Sequence, residues 1–147
     1  VLVNPPFEPV PEGETFFLHS DGGEDGLDVV RRILADVSDH LTDAGRLEMI
    51  TWSTGSAKGP AIVPLTGEML DGFAFRVDVL GEEPLGDHAA RFRKSPAYDA
   101  WCERLAERDL DRVFMVYLRA DRGAPPALDV RRPEAEIAAC HEIADAW

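Results

Sequence analysis

Cysteine is scarce in this sequence, and its two cysteines, Cys102 and Cys140, are far apart in the chain. They form neither a C-x-x-C pair nor the spacing of a zinc site, which argues against a disulfide scaffold and against a cysteine-rich metal domain. We interpret both as ordinary buried thiols of a protein in a reducing compartment. The cytoplasm is therefore the expected location, and no metal is expected.

Long apolar runs are also absent. None approaches the roughly 20 residues that are needed to span a bilayer, and no charged segment followed by an apolar one opens the sequence. We therefore expect neither a membrane span nor secretion. The chain has 147 residues, of which 45% are hydrophobic and 29% charged. This composition is typical of one folded domain with its own core.

Positive charge is in short supply. The chain has 15 Lys and Arg residues against 28 Asp and Glu residues, for a net charge of −13. Such a surface repels a phosphate backbone unless its basic residues are clustered. The densest basic run, Arg91 to Lys94, is short, and we interpret it as a solvated face. We therefore expect a protein or small-molecule partner; nucleic acid is less favoured, and no membrane is expected.

The first seven residues carry the clearest pattern. Val1–Val3 is a short buried-strand signal, and Asn4 follows it directly. Pro5 and Pro6 then force the chain out of the sheet, because proline cannot donate to a strand ladder. Asn4 is thus predicted at the carboxyl end of a strand, where open α/β sheets place their ligands.

The residue types of this stretch suit a planar amide or amine. The Asn4 side chain offers an oxygen acceptor and an amide donor. Pro5 contributes a carbonyl oxygen on a stiff backbone, and Phe7 adds a flat ring just beyond. The N–H groups of such a ligand would donate to the Asn4 oxygen and to a proline carbonyl, while the Phe7 ring stacks on the plane of the ligand.

The run VLVNPPF at residues 1–7 resembles the Asn-Pro-Pro-aromatic motif of S-adenosylmethionine-dependent amino-methyltransferases. That motif ends the fourth strand of their fold, and the enzymes methylate adenine, guanine or glutamine nitrogens. Gly22–Asp28 opens an amphipathic helix, and Gly45–Leu47 opens a strand; both are similar to the protein-glutamine methyltransferase branch. The similarity covers about residues 1–52, and only the order of elements matches beyond them.

The resemblance implies methyl transfer to an amide or amine nitrogen with S-adenosylmethionine as cofactor. It implies a catalytic role for Asn4 and Pro5 and substrate contacts from Pro6 and Phe7. Trp52, at the end of the next strand, is a candidate wall of the substrate pocket. Relatives of this kind more often carry Tyr where this chain has Phe7, so the substrate class stays open.

The cofactor-binding residues of that family do not match anything in this sequence. No G-x-G-x-x-G follows a strand, and Gly22–Gly26 follows a loop. Val1 already belongs to a predicted core strand. We therefore expect the chain to be the C-terminal portion of a methyltransferase domain without its Gly-rich half, and inactive alone. Strand Val1–Val3 would then have an unpaired edge, for which we expect a dimer.

The resemblance and the periodicity together predict an α/β fold: a partial Rossmann-like methyltransferase sheet of about four strands, the last one antiparallel, with flanking helices. The insertion 87–110 has no counterpart in the family's short final hairpin. The predicted elements are a helix at 26–43 capped by Asp25, a strand at 46–51, a short or broken helix within 57–71, a strand at 73–79 ended by Gly81, a helix from Pro96 capped by Ser95, a central strand at 113–119, a connector at 121–130 and a terminal helix from Pro133.

Several other polar groups have two interpretations. Ser53, Thr54 and Ser56 either bind a polar group of the substrate or cap a turn. His19 is interpreted as a surface or hydrogen-bonded residue rather than a catalytic base. The pair Cys140-His141 has no partner at a spacing that would favour a metal site or a nucleophile. Phe16–Leu18 either packs on the core or contacts substrate, and the aromatic residues of the 96–110 helix are expected in the core.

Two other functions remain open at this point. In the first, the chain is a non-catalytic α/β interaction domain in which NPPF only terminates a strand, and no ligand pocket lies near Asn4. In the second, it is an enzyme that uses carboxylate chemistry, which the many acidic residues suggest. No pair of acidic residues stands out at predicted strand ends, so the second is the weaker of the two.

Overall fold

A mixed sheet organises the chain. The computed structural model describes residues 1–12, 14, 19–92 and 96–133. Within these residues the sheet has six strands in the order β1-β2-β5-β4-β6, with β3 paired to β2. The strands are β1 (Leu2–Val3), β2 (Arg46–Ser56), β3 (Gly59–Pro60), β4 (Phe73–Pro84), β5 (Arg112–Arg122) and β6 (Ala127–Arg131).

Strand direction matches the prediction of a Rossmann-like methyltransferase sheet with an antiparallel strand between parallel ones; the two-residue strand β3 is also antiparallel to β2. β1 is parallel to β2, and β6 is parallel to β4. β5 lies between β2 and β4 and is antiparallel to both. Its apolar run VFMVYL supplies buried residues to the centre of the sheet. The expected position of this strand, between its two predecessors, is confirmed.

In the described part of the chain, four helices flank the sheet: α1 (Asp28–His40), α2 (Ile62–Met69), α3 (Leu85–Phe92) and α4 (Pro96–Glu107). The buried stripe of α1 consists of Val30, Leu34 and Val37. It packs with α2 and with the inward-facing residues of β2, β4 and β5 into the main core. The three- and four-residue spacing of apolar residues predicted this face correctly.

The insertion folds as the two helices α3 and α4, and their packing forms a second core. Tyr98, Trp101 and Leu105 of α4 are buried against Leu85 and Val113. Trp52 of β2 packs on the same cluster. The aromatic residues of α4 are core residues, as expected, and the cluster lies beside the carboxyl half of β2.

Several strands differ from the prediction. β1 is limited to Leu2–Val3 and is not buried as expected, because Leu2 is 78% exposed, and β5 extends from Arg112 to Arg122. β2 continues to Ser56, because its pairing with β5 extends to Gly55 opposite Arg112. β4 continues past Gly81 and ends at Pro84. A bulge between Val79 and Gly81 shifts the register with β5, but the pairing resumes after it. The Pro-rich connector contains β6, an edge strand in which Leu128 is 56% exposed.

The capping of α1 also differs. Leu27, not Asp25, occupies the N-cap position, and no side chain caps the helix there. Pro96 does begin α4, as expected. Ser95, Phe16–Leu18, the helix expected after Pro133 and the pair Cys140-His141 lie outside the described residues.

Candidate active site

The NPPF motif lies where β1 leaves the sheet. Val3 pairs with Met49 of β2, and Asn4 follows at the carboxyl end of β1. Asn4 is exposed, Pro5 is buried, and Pro6 and Phe7 are half-buried. No described residue forms a hydrogen bond with the Asn4 side-chain amide. The amide is therefore available to a ligand, whereas the Pro5 ring fixes the backbone against the protein.

Backbone hydrogen bonds hold the motif in place. The N–H groups of Phe7 and Glu8 both donate to the Ser20 carbonyl, at 3.1 and 2.7 Å. In return, the Gly22 N–H donates to the Glu8 carbonyl at 2.9 Å. Glu8 and Asp21 form an isolated parallel bridge. The motif is thus attached to the start of the glycine-rich segment.

Two glycines of that segment allow this close approach. A Cβ on Gly22 would lie 2.9 Å from the Phe7 Cα and carbonyl carbon. A Cβ on Gly26 would lie 2.7 Å from the Phe7 oxygen, and Gly26 has a φ of +76°, which other residues rarely adopt. The glycines therefore have a local role: they let the loop before α1 pack directly on the backbone of the motif.

The Asp25 side chain stabilises the same loop through hydrogen bonds. Its carboxylate accepts from the Leu27 N–H at 3.0 Å and from the Arg31 guanidinium at 2.9 and 2.5 Å. Burial alone would raise the pKa of the Asp25 carboxyl. The hydrogen bonds from Arg31 and Leu27 and the charges of Arg31 and Arg108 outweigh burial, so the pKa lies below its ordinary value.

The sheet and the insertion also hold this loop. The Thr54 hydroxyl donates to the Asp25 carbonyl at 2.9 Å. The Trp101 indole N–H donates to the Glu24 carbonyl at 3.0 Å. Because β2 and α4 both reach it, the glycine-rich segment is fixed on two sides.

Trp52 lies close to the motif. It follows Met49 along β2, so it projects beyond the point where β1 has ended. Its ring centre is 6.5 Å from that of Phe7, with the planes tilted by 40°. The two aromatic side chains that were predicted for the substrate pocket are therefore neighbours. Trp52 lies within a strand, however, and not at its end as expected.

The polar residues after Trp52 have internal partners. Ser53 donates to the Thr54 carbonyl at 2.8 Å and accepts from the Ile62 N–H at 3.1 Å. Ser56 accepts from the Lys58 N–H at 3.2 Å. The expectation of a capped turn is confirmed for Ser56, which ends β2 and caps the turn at Ala57 and Lys58, and is wrong for Ser53 and Thr54, which lie within β2. The hydroxyls of all three residues are used within the fold.

His88 of α3 was not singled out from the sequence, yet it lies beside the motif. Its side chain is 2% exposed. Its Nε2 is 3.0 Å from Glu8 Oε2, and its Nδ1 is 2.6 Å from Glu83 Oε1. Its ring centre is 5.2 Å from that of Trp52. A single histidine in an insertion has no motif or periodicity that would reveal these contacts.

Metal ligands and cofactor contacts are a separate question. Across the described ranges there is no group of three or more His, Cys, Asp or Glu residues that could hold a metal ion. No helix in those ranges is long and apolar enough to cross a bilayer.

The Asn4 side chain and the Pro5 carbonyl offer oxygen atoms that can accept hydrogen bonds from an amide or amine nitrogen. The described residues do not present a glycine-rich turn after a strand that fits the adenosine and ribose of S-adenosylmethionine.

Comparison with known proteins finds a partial match to a methyltransferase. Over 74 residues, 44% of this chain, the sequence is 39% identical to a release factor glutamine methyltransferase of Gloeobacter violaceus. The match spans about a quarter (25%) of the length of that relative. No protein-family model matches the chain. The partial match supports a relationship to methyltransferases, and the mixed α/β sheet agrees with a Rossmann-like fragment of one.

Proposed function

We propose that this chain forms the part of an S-adenosylmethionine-dependent N-methyltransferase that binds the methyl acceptor. The observation that carries the proposal is the placement of Asn4: an exposed amide at the carboxyl end of a parallel strand, on a backbone held by Pro5 and by the Ser20 carbonyl. Open α/β sheets bind ligands at this edge. The partial similarity to a glutamine methyltransferase supports the same assignment.

Asn4 and Pro5 act by orientation. The Asn4 side-chain oxygen and the Pro5 carbonyl accept the N–H bonds of the acceptor nitrogen and direct its lone pair outward from the protein. S-adenosylmethionine, for which the described residues offer no glycine-rich binding turn, would supply the methyl group to this nitrogen, and the proton that the nitrogen loses would pass to solvent. Fixed orientation of this kind removes much of the entropic barrier, so no strong general base is needed.

Phe7 and Trp52 hold the plane of the acceptor, and Pro6 lines its edge. The rings, tilted and 6.5 Å apart, form an apolar corner at the end of the motif. An apolar corner favours a flat, neutral group such as a carboxamide over a charged one. Together with the net charge of −13, this favours a glutamine side chain of a protein over a base in a nucleic acid.

The experiment is a methyl-transfer assay on the complete protein that contains this sequence. Labelled S-adenosylmethionine is offered with a purified bacterial release factor, with duplex DNA or with free glutamine. We expect label in the release factor and none in DNA. Transfer to DNA would contradict the acceptor class, and absence of transfer to all three acceptors would contradict the proposal itself. A Phe7→Ala variant is expected to raise the KM for the protein acceptor.

A further inference from the structure

We propose that His88 is a positioning residue of this site, which fixes the end of the NPPF motif and the Trp52 ring relative to each other. The inference rests on the proposed function, because it assigns His88 a role in acceptor binding. The position of the Phe7–Glu8 backbone, which His88 would fix, can also be tested without measuring catalysis. The insertion that carries His88 thereby becomes part of the acceptor site.

The hydrogen bonds of His88 join three parts of the fold. Glu8 directly follows Phe7, Glu83 is near the end of β4, and His88 belongs to α3. The imidazole Nε2 lies 3.0 Å from Glu8 Oε2 and Nδ1 lies 2.6 Å from Glu83 Oε1, so each ring nitrogen has a carboxylate as its hydrogen-bond partner. The end of the motif is thus connected through His88 to the rigid sheet.

Glu8, Glu83 and Arg91 lie around the ring. The Glu8 and Glu83 side chains are only 13% and 19% exposed. Arg91 pairs with Glu83 and also lies 3.2 Å from His88 Nδ1. Removing the ring would leave the Glu8 carboxylate, which is only 13% exposed, without a side-chain hydrogen-bond partner among the described residues, and an unpartnered buried carboxyl is costly.

Contact with Trp52 extends the effect to the aromatic corner. The His88 and Trp52 rings are 5.2 Å apart with their planes tilted by 51°. Trp52 is half-buried, so part of its ring faces the protein and part is accessible. His88 therefore restricts both the backbone beside Phe7 and the ring that lies next to Phe7.

A purely structural histidine would have a different signature from a positioning residue. Loss of a structural residue lowers the stability of the whole domain and leaves the folded molecules fully active. Loss of a positioning residue loosens the motif locally and raises the KM for the acceptor in molecules that are still folded. Two substitutions separate the ring contact of His88 from its hydrogen bonds. His88→Phe keeps a ring beside Trp52, and His88→Gln keeps hydrogen-bond donors for the Glu8 and Glu83 carboxylates.

The first experiment measures native-state hydrogen exchange at the Phe7 and Glu8 amides. We expect His88→Phe to speed their exchange about tenfold relative to wild type, and His88→Gln to restore part of the protection. His40→Ala, at an exposed position in α1, is the matched control and should change nothing. Should the His88 variants not fold, Glu8→Ala cuts the same connection at its other end. Unchanged exchange in the folded variants would overturn the proposal.

The second experiment measures kcat and KM with a purified release factor and labelled S-adenosylmethionine in the complete protein. We expect His88→Phe to raise the acceptor KM about tenfold, with the cofactor Kd unchanged. Normal kinetics in the variant, with normal wild-type turnover, would overturn the role of His88 alone. If wild type itself transfers no methyl group, the proposed function fails, and the exchange experiment still decides whether His88 fixes the motif.

Discussion

Phe7 and Trp52 lie with their ring centres 6.5 Å apart, although one follows β1 and the other belongs to β2. The contact arises because β1 ends opposite Met49, whereas β2 continues to Ser56. The longer strand therefore supplies a wall beside the shorter one. This unequal length forms the corner in which we place the acceptor.

The two buried or half-buried tryptophans near this corner should respond differently to mutation. Trp52→Ala should raise the acceptor KM about tenfold with a small loss of stability, because the ring is only half-buried. Trp101→Ala should cost about 3–5 kcal/mol of unfolding free energy, because its ring is fully buried and its N–H is bonded to Glu24. Urea unfolding and steady-state kinetics measure the two effects. Equal loss of stability in both variants would argue against a pocket role for Trp52.

The close approach of the glycine-rich segment to Phe7 gives a second prediction. Gly22→Ala should destabilise the protein and loosen the motif, because the new Cβ would lie 2.9 Å from Phe7 backbone atoms. Gly86→Ala in α3 is the control: its Cβ meets nothing within 4 Å, so the change should be neutral or stabilise by about 0.5–1 kcal/mol. Thermal unfolding compares them. A Gly22→Ala variant as stable as wild type would contradict this packing.

The pKa of Asp25 gives a prediction for acid. Since the folded-state pKa lies below the ordinary value of 3.8, the ionised carboxylate stabilises the fold above that value. Its contribution is lost as the pH falls through the depressed pKa. Asp25→Asn should cost about 1–3 kcal/mol at pH 7 and approach wild type in acid. Asp36→Asn, an exposed control in α1, should track wild type throughout.

Unfolding free energies measured from pH 7 down to pH 2 check this behaviour. A constant difference between Asp25→Asn and wild type over the whole range would contradict it, because the ion pair with Arg31 would then carry no pH dependence.

The two ends of the sheet allow a test of self-association. β1 is the last strand at one end, where Leu2 is 78% exposed, and β6 is last at the other end. Exposed edges pair readily with other chains. We predict that the 147-residue chain dimerises through β1, so that Leu2→Lys is monomeric in sedimentation equilibrium while Leu128→Lys still dimerises. A monomeric wild type, or dissociation by Leu128→Lys alone, would contradict this.

Periodicity was sufficient to predict the parts of the fold that bury a regular face. The stripe Val30, Leu34 and Val37 predicted α1, and the apolar run after Arg112 predicted the central strand β5. Both depend on local sequence, since each apolar residue occupies the position that its secondary structure turns inward. The motif itself was also predictable at its place after β1, because two prolines end a strand wherever they occur.

The differences have tertiary causes. Ser53 to Ser56 resemble a turn in composition, but pairing with β5 keeps them in β2. β6 follows a Pro-rich segment and becomes a strand through its pairing with β4. His88 has no local signal, because Glu8 and Glu83 reach it only after the chain has folded. These features depend on contacts between distant residues, which a single sequence does not display.

The most direct test of the central claim is the single-turnover methylation rate of Asn4→Ala in the complete protein, with release factor as the acceptor. Loss of an orienting contact should lower this rate about 100-fold, while calorimetry shows an unchanged Kd for S-adenosylmethionine. A rate within about twofold of wild type would contradict the role of Asn4. The NPPF motif would then be no more than the end of a strand.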